Sequence, residues 1–179
     1  MNLKIIPYTE LDGIRSFRDS EIMSFYDRMV SDEIADLVFL EGTVKSREDF
    51  LRIMRYGNNL LYALYNGEEL CGLTWLNRFE HRSARLHFCF FRNAWGKLSR
   101  DLAKYALRKL IALQDTEGNY LWDVFIGLIP SFNKQAINFA LDCGGVLVGE
   151  IPNAIWNDIT KECEHGTYLY YVRSEDENL

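Results

Sequence analysis

The chain has few of the residues on which metal and redox chemistry depend. Its three histidines, His81, His87 and His165, fall at no spacing that would assemble a metal site. Its four cysteines, Cys71, Cys89, Cys143 and Cys163, form no CxxC pair and sit in apolar or mixed surroundings. Reduced, mostly buried thiols are expected rather than a disulfide framework or a zinc site. No stretch approaches the roughly 20 apolar residues that cross a bilayer, and the opening MNLKIIPYTELDG lacks the long apolar region of a signal peptide. A cytoplasmic protein with no membrane partner is the expectation. Positive charge is in deficit: the formal net charge is -6 and the pI about 5.1. That balance argues against general binding to nucleic acid or to anionic membranes. No G-x-S-x-G, P-loop or dinucleotide fingerprint is present.

What the chain does have is apolar surface to bury. Hydrophobic residues make up 48% of its 179 positions and aromatic residues 14%, which fits one folded domain with a continuous core. That domain is expected to span residues 1–173, leaving an acidic, frayed tail at 174–179. Basic residues concentrate in one segment, Arg92, Lys97, Arg100, Lys104, Arg108 and Lys109. Such a segment suits a phosphate-bearing ligand or a solvated helix face, and composition does not choose between them.

Patterning sets the order of elements. Lys4 to Tyr8 reads as a first strand, followed by helical stretches at Ser20 to Met29 and Ile34 to Leu40. Ser46, with Asp49 three residues on, resembles a capping box for a helix that ends at Tyr56 and Gly57. Asn66-Gly67 is a hairpin signal between strands Leu60 to Tyr65 and Glu69 to Leu76, and Arg85 to Phe91 adds a third antiparallel strand after the polar loop at residues 80–83. From Leu98 the period becomes helical, with Ser99 as a candidate cap. This helix must connect Arg85 to Phe91 with the apolar run Leu121 to Leu128, so those two strands should lie parallel. Strands at Gly145 to Glu150 and Tyr168 to Val172 finish the chain. The last strand either pairs across a homodimer or is covered internally.

Between the last parallel strand and Gly149 lies the most specific pattern. Asn133 opens a helix, Ala136, Ile137, Ala140 and Cys143 follow at helical spacing, and Gly144-Gly145 closes it. The order Asn133-x-x-Ala136-Ile137-x-Phe139-x-x-x-x-Gly144 resembles the fourth helix of the GCN5-related N-acetyltransferase (GNAT) superfamily, roughly N-x-x-A-x-x-l-Y-x-x-x-G-F. Ala140 stands where that family has tyrosine. The whole element order is similar to the superfamily's as well. The resemblance implies an α/β (α+β) domain, a central mixed sheet flanked by helices, and acetyl-CoA as co-substrate.

It also implies where chemistry would sit. In the superfamily the co-substrate lies in a splay between the fourth and fifth strands, and backbone amides at the start of the third helix cradle its pyrophosphate. The matching turn here is Arg92 to Arg100, in which Arg92, Gly96, Lys97, Leu98, Ser99 and Arg100 are the candidate contacts. The family pattern survives there only as Gly96-Lys97, with Leu98 and Arg100 in place of small residues. Cys89, Phe90 or Phe91 would offer an amide to the thioester carbonyl, and Asn133 would contact the co-substrate from the fourth helix. His87 is the candidate base, because its ordinary pKa is near neutral, or else a satisfied structural histidine. Glu80, with His81, is an alternative base acting through water. Tyr171 or its neighbour Tyr170 is the candidate acid in place of the missing tyrosine.

The acceptor, a small-molecule or protein amine, would meet the first helices and the segment Pro152 to His165. Asp158, Glu162 and Glu164 there either attract a cationic amine or are simply solvated. The aromatic residues Phe25, Tyr26, Tyr56, Trp75, Phe79 and Trp156 would mostly be core. The expected activity is N-acetyl transfer by direct attack. The alternative is a catalytically inactive binding or structural protein on the same fold, of a kind associated with phage.

Overall fold

The expected meander becomes the first half of one sheet. In this computed structural model, which describes residues 1–56 and 58–173, β1 (Leu3–Pro7) pairs antiparallel with β4 (Leu60–Asn66). β4 then pairs with β5 (Glu69–Glu80), and β5 with β6 (Ser83–Phe90). A small ribbon of β2 (Glu10–Leu11) and β3 (Ile14–Arg15) stands apart. The acidic tail expected at 174–179 and the expected helix stop at Gly57 lie outside the described residues.

The second half of the sheet follows a helical crossover. β6 leads through a single 3-10 turn (Arg92–Ala94) into α4 (Lys97–Ile111), which returns the chain to β7 (Val124–Pro130), parallel to β6. After α5 (Lys134–Asp142), β8 (Val146–Asn157) and β9 (Glu162–Val172) form a long hairpin. The spatial order is β1-β4-β5-β6-β7-β9-β8. β9 is therefore flanked on both sides, by β7 and β8, and the aromatic last strand is covered within the chain. No helix among the described residues is long and apolar enough to cross a membrane.

Two layers of helix cover the sheet. α1 (Asp19–Ser31) buries Ile22, Phe25, Tyr26 and Met29, spaced as one helical face. These join Phe50 and Met54 of α3 (Arg47–Tyr56) against Leu73, Trp75, Cys89 and Phe91 of the sheet. The short α2 (Ala35–Val38) lies between those helices in the chain, a single turn where a longer helix was expected. The opposite face takes α4, whose Ala103, Ala106, Leu107 and Leu110 are buried, and α5 through Phe139 and Cys143 at its end. Each fully buried large side chain contributes about 1.5–3 kcal/mol by leaving water, so both faces are anchored.

Capping follows the sequence in one helix and departs from it in another. Ser46 Oγ accepts the Asp49 amide at 3.1 Å, as the box at the start of α3 requires. Ser99 does not cap α4: the N-cap is Gly96, and Ser99 Oγ donates back to the Gly96 carbonyl at 2.9 Å. Strand ends also move. β5 and β6 run on to Glu80 and back from Ser83, so the polar loop expected at 80–83 shrinks to a two-residue tip. The segment Pro152 to His165 is mostly strand, because Pro152 sits on the edge strand β8 within the register shift between Ile151 and Ile155, where its missing N–H breaks no ladder.

Candidate active site

β6 and β7 are paired only at their beginnings. The parallel register runs Ser83↔Val124, Ala84↔Phe125 and Arg85↔Ile126 and then stops, although β6 continues to Phe90 and β7 to Pro130. The strands thus open into a cleft with backbone polar groups on its walls, and unpaired groups of this kind need a partner. Alternation along the antiparallel β5–β6 ladder decides which amides face it. The Phe91 amide donates to Cys71 O at 2.9 Å, towards β5. Cys89, two residues back, shares that direction, and Phe88 and Phe90 point the other way, into the cleft. Phe91 and Cys89 are thereby removed as amide donors, and Phe90 is kept. Phe90 O accepts the indole N–H of Trp95 at 2.9 Å.

At the open end of this cleft the chain enters α4. Gly96 has φ +94°, a left-handed value that disfavours any side chain, and an added Cβ there would meet nothing within 4 Å. No side chain caps the helix, so the amides of its first turn, Lys97, Leu98 and Ser99, have no intrahelical acceptor. Such a terminus favours an anion through its free donors and its dipole. The Leu98 side chain packs into the cluster formed by Leu64, Leu102 and Ala106, away from the amides. Its bulk therefore leaves the cradle open. Lys97 is exposed and has no ion pair among the described residues. Arg100 reaches back to Asp142 of α5 at 3.9 Å. Arg92 is committed elsewhere: its amide donates to Asp32 Oδ2 at 2.8 Å, and its guanidinium binds Asp32 O and Glu33.

α5 starts beside the same opening, immediately after β7. Asn133 Oδ1 accepts the Ala136 amide at 3.1 Å, so this residue is the helix cap, and its Nδ2 makes no hydrogen bond among the described residues. Phe139 stands 5.5 Å from the Phe90 ring, and Phe88 lies 5.6 Å from Phe90. These rings give the α4/α5 side of the cleft an apolar, aromatic lining.

On the other side of the sheet His87 stacks on Trp75, with ring centroids 4.9 Å apart and planes 2° from parallel. Its Nε2 lies 3.0 Å from Asn77 Oδ1. Asn77 Nδ2 donates to Asn59 Oδ1 at 3.0 Å, and Asn59 Nδ2 to Ile53 O at 3.0 Å. Burial first, then the nearby Arg85 and Arg78, push the His87 pKa down to about 3. The imidazole is neutral at physiological pH. Asn77 and Asn59 carried no signal in the sequence, because their role exists only through the β5–β6 register.

Comparison with known proteins then decides the architecture. No protein-family model matches the chain, and no curated protein matches it by sequence. Solved structures do. An acetyltransferase from Salmonella typhimurium that modifies the N-terminal serine of a 50S ribosomal subunit protein aligns with TM-score 0.74 at 12% identity, over 97% of this chain and 96% of that one. Spermidine N-acetyltransferase from Vibrio cholerae, in complex with CoA and spermine, aligns with TM-score 0.69 at 15% identity, over 97% of each chain. A ribosomal-protein-alanine acetyltransferase from Vibrio fischeri aligns with TM-score 0.68 at 8% identity, over 98% and 95%. The chain has the GNAT fold.

Within the GNAT fold the remaining candidates are dispersed. Tyr171 faces α4 and α5, where its hydroxyl donates to Ala140 O at 3.2 Å and burial raises its pKa well above the usual phenol range. Through Phe125 it is level with Ala84, in the part of the sheet that stays paired. It lines a cavity of about 290 Å³ with Lys104, Arg108 and Cys143, away from the open cleft. Glu80 pairs with Ser83 at the far tip of the β5–β6 hairpin, also at the closed end. Neither reaches the place where the strands diverge.

The segment expected to form the acceptor wall is built differently. The tip of the β8–β9 hairpin docks on the segment after α2: the Asp158 amide donates to Leu40 O at 2.8 Å, and Lys45 Nζ binds Asp158 Oδ2 at 2.8 Å. Lys161 adds a second ion pair to Asp158 at 2.7 Å, and Glu164 accepts from Asn157 Nδ2 at 2.9 Å. Two of the three carboxylates expected to attract an amine are thus engaged in holding the wall. Glu162 stands exposed where β9 begins. Among the described residues no group of three or more His, Cys, Asp or Glu side chains could hold a metal ion.

Proposed function

We propose that this chain is an N-acetyltransferase that moves the acetyl group of acetyl-CoA directly onto an amine. The observation that carries the reading is the opening of β6 from β7 next to an uncapped helix start, at the same end of the sheet. A glycine with open space in front of it lies between the two, which suits close approach of a pyrophosphate. When bound, acetyl-CoA would supply an activated acetyl thioester.

The residues then divide the work. Lys97, Leu98 and Ser99 would hold the pyrophosphate through their amides, with the Lys97 ammonium adding charge. Asn133 Nδ2 would bond the pantetheine arm, and Phe88, Phe90 and Phe139 would exclude water from it. The Phe90 amide would donate to the carbonyl oxygen as negative charge gathers there, the usual source of most acceleration in acyl transfer. His87 would receive the amine proton. Its Asn77 partner accepts from Nε2, so Nδ1 is left with the free lone pair. A base this weak cannot strip an ammonium, so the acceptor enters as the free amine and His87 acts only once addition has acidified its proton. No side-chain acid is assigned, since thiols ionise near pH ~8.5 and a thiolate leaves without one.

Thermal denaturation with acetyl-CoA tests this reading. At 100 times its dissociation constant the ligand should stabilise the protein by about 2.7 kcal/mol. A thiol-release assay over a panel of small amines and peptide N-termini then tests transfer. Absence of any thermal shift or calorimetric heat at millimolar acetyl-CoA would overturn the assignment; binding without thiol release would identify a binding protein on the GNAT fold.

A further inference from the structure

Arg85 is the last residue of β6 paired to β7, so it sits at the vertex of the cleft. Strand alternation places it on the same face as His87, the face of α1 and α3. It is half-buried, and its guanidinium makes one hydrogen bond among the described residues, a long one of 3.4 Å to Tyr168 Oη. Among the described residues no carboxylate lies within ion-pair distance of it, the one that reaches it electrostatically being Glu41. Five N–H donors on a partly desolvated cation are costly to leave with a single partner.

A second cation sharpens the point. Arg78 lies where the β5–β6 register slips, and it holds a left-handed φ of +48°. Backbone in this region costs a residue with a Cβ about 1–3 kcal/mol, and the bulge between Asn77 and Glu80 holds it there. Arg78 has no ion pair among the described residues. Burial first, and then Arg78, lower the Arg85 pKa, while Tyr168 and Glu41 act in the opposite sense. Nearby, Asp158 and Glu164 are engaged with Lys45, Lys161 and Asn157. Two arginines thus stand together without an ion pair among the described residues, while Asp158 is held by two lysines, an arrangement that suits an anionic group better than a polyamine.

We propose that Arg85, supported by Arg78, is an anion subsite of the acceptor pocket and takes a carboxylate or phosphate carried by a small amine acceptor. The inference rests on the acetyltransferase reading for the word acceptor. The anion site itself depends only on Arg85, Arg78 and Tyr168. A planar guanidinium binds either oxyanion through two parallel hydrogen bonds, so the acceptor's charge selects it and the length of its linker sets the amine over His87.

The experiment compares matched probes by calorimetry on the wild-type protein and by thiol release. One arm uses an N-acetyl amino acid against its carboxamide, and the corresponding free amines. The other uses phosphoethanolamine against ethanolamine. Spermidine serves as the cationic control. The anionic member of at least one pair should bind about tenfold or more tightly, the scale of a charge-assisted pair. Arg85→Gln should remove that preference, Arg85→Lys should restore part of it, and both should bind acetyl-CoA as the wild type does. Which arm responds identifies the oxyanion. Equal affinity within both pairs, or a preference that survives Arg85→Gln, overturns the proposal; the first comparison needs no variant and so does not depend on folding of a mutant. Loss of acetyl-CoA binding in the wild type would defeat the acetyltransferase reading alone.

Discussion

His87 Nε2 lies 3.0 Å from Asn77 Oδ1, and this contact determines which ring nitrogen carries the proton. Asn77 is itself oriented, because its Nδ2 donates to Asn59 Oδ1 and Asn59 Nδ2 donates to Ile53 O. The chain of donors leaves Asn77 no choice but to accept from His87. Nε2 is therefore the protonated nitrogen and Nδ1 the basic one.

Asn77→Ala should break this directionality. The His87 N–H and the Asn59 carbonyl both lose a partner, at a cost of about 1–3 kcal/mol for each group left buried and unsatisfied. Long-range proton–nitrogen NMR on the wild type should report a neutral Nε2–H tautomer at pH 7, and the variant a mixture. An imidazolium signal in the wild type at pH 6 would contradict the assignment. Transfer should slow in the variant while acetyl-CoA affinity stays at the wild-type level.

The depressed His87 pKa also makes stability depend on acidity. The unfolded histidine titrates near 6.5 and the folded one at about 3, so between these values the unfolded chain binds the extra proton. Stability from this group is full above pH ~6.5 and falls as the solution is acidified towards pH ~3, by up to ~1.4 kcal/mol per pH unit. Urea unfolding at pH 7 and pH 5 should show that loss, and His87→Gln should flatten it. Parallel slopes in the two proteins would mean the ring is not held neutral.

Much of this architecture was legible in patterning, and the reasons for the rest are physical. Asn66-Gly67, the capping serine Ser46 and the helix opened by Asn133 act through local backbone chemistry, which a sequence carries directly. The splay between β6 and β7 does not, because both strands remain good strands by composition after their pairing ends. The extension of β8 through Pro152 was hidden for a similar reason: whether proline ends a strand depends on whether it meets a ladder partner, and Pro152 falls in a bulge of the edge strand. Tyr171 was misplaced as an acid because Tyr170 and Tyr171 look alike in sequence, and only the register with Phe125 puts Tyr171 under α5. Arg85 drew no attention among 20 Lys and Arg residues, since its weight comes from having no ion pair among the described residues, which only the fold reveals.

Thiol chemistry separates the cysteines. Cys71, Cys89 and Cys143 are buried, and Cys163 is exposed. Burial raises the thiol pKa of Cys71 and Cys89, and that of Cys143 to about 11, so none of the three forms thiolate readily. An aromatic disulfide reagent at pH 8 should titrate one thiol quickly in the native protein and four after denaturation. Cys163→Ser should abolish the fast phase. Rapid reaction of Cys89 would reopen the question of a covalent acetyl intermediate, which direct attack does not require.

Gly96→Ala separates the cradle from the rest of the fold. The substituted Cβ would meet no atom within 4 Å, so packing alone would tolerate it. The backbone would not, since φ +94° with ψ -130° is a conformation that residues with a Cβ avoid, at a cost of about 1–3 kcal/mol. The turn can relieve that cost by rotating, but rotation re-aims the free amides of Lys97, Leu98 and Ser99. Acetyl-CoA affinity should therefore fall by more than the loss of stability would suggest, while binding of the anionic acceptor probes at Arg85 stays intact. Lys97→Ala, which removes charge and leaves the backbone in place, should weaken acetyl-CoA less, and its effect should shrink as salt is raised. Calorimetric titration of both variants provides the comparison. If Gly96→Ala binds acetyl-CoA as tightly as the wild type, the start of α4 does not hold the pyrophosphate, whatever the fold resembles.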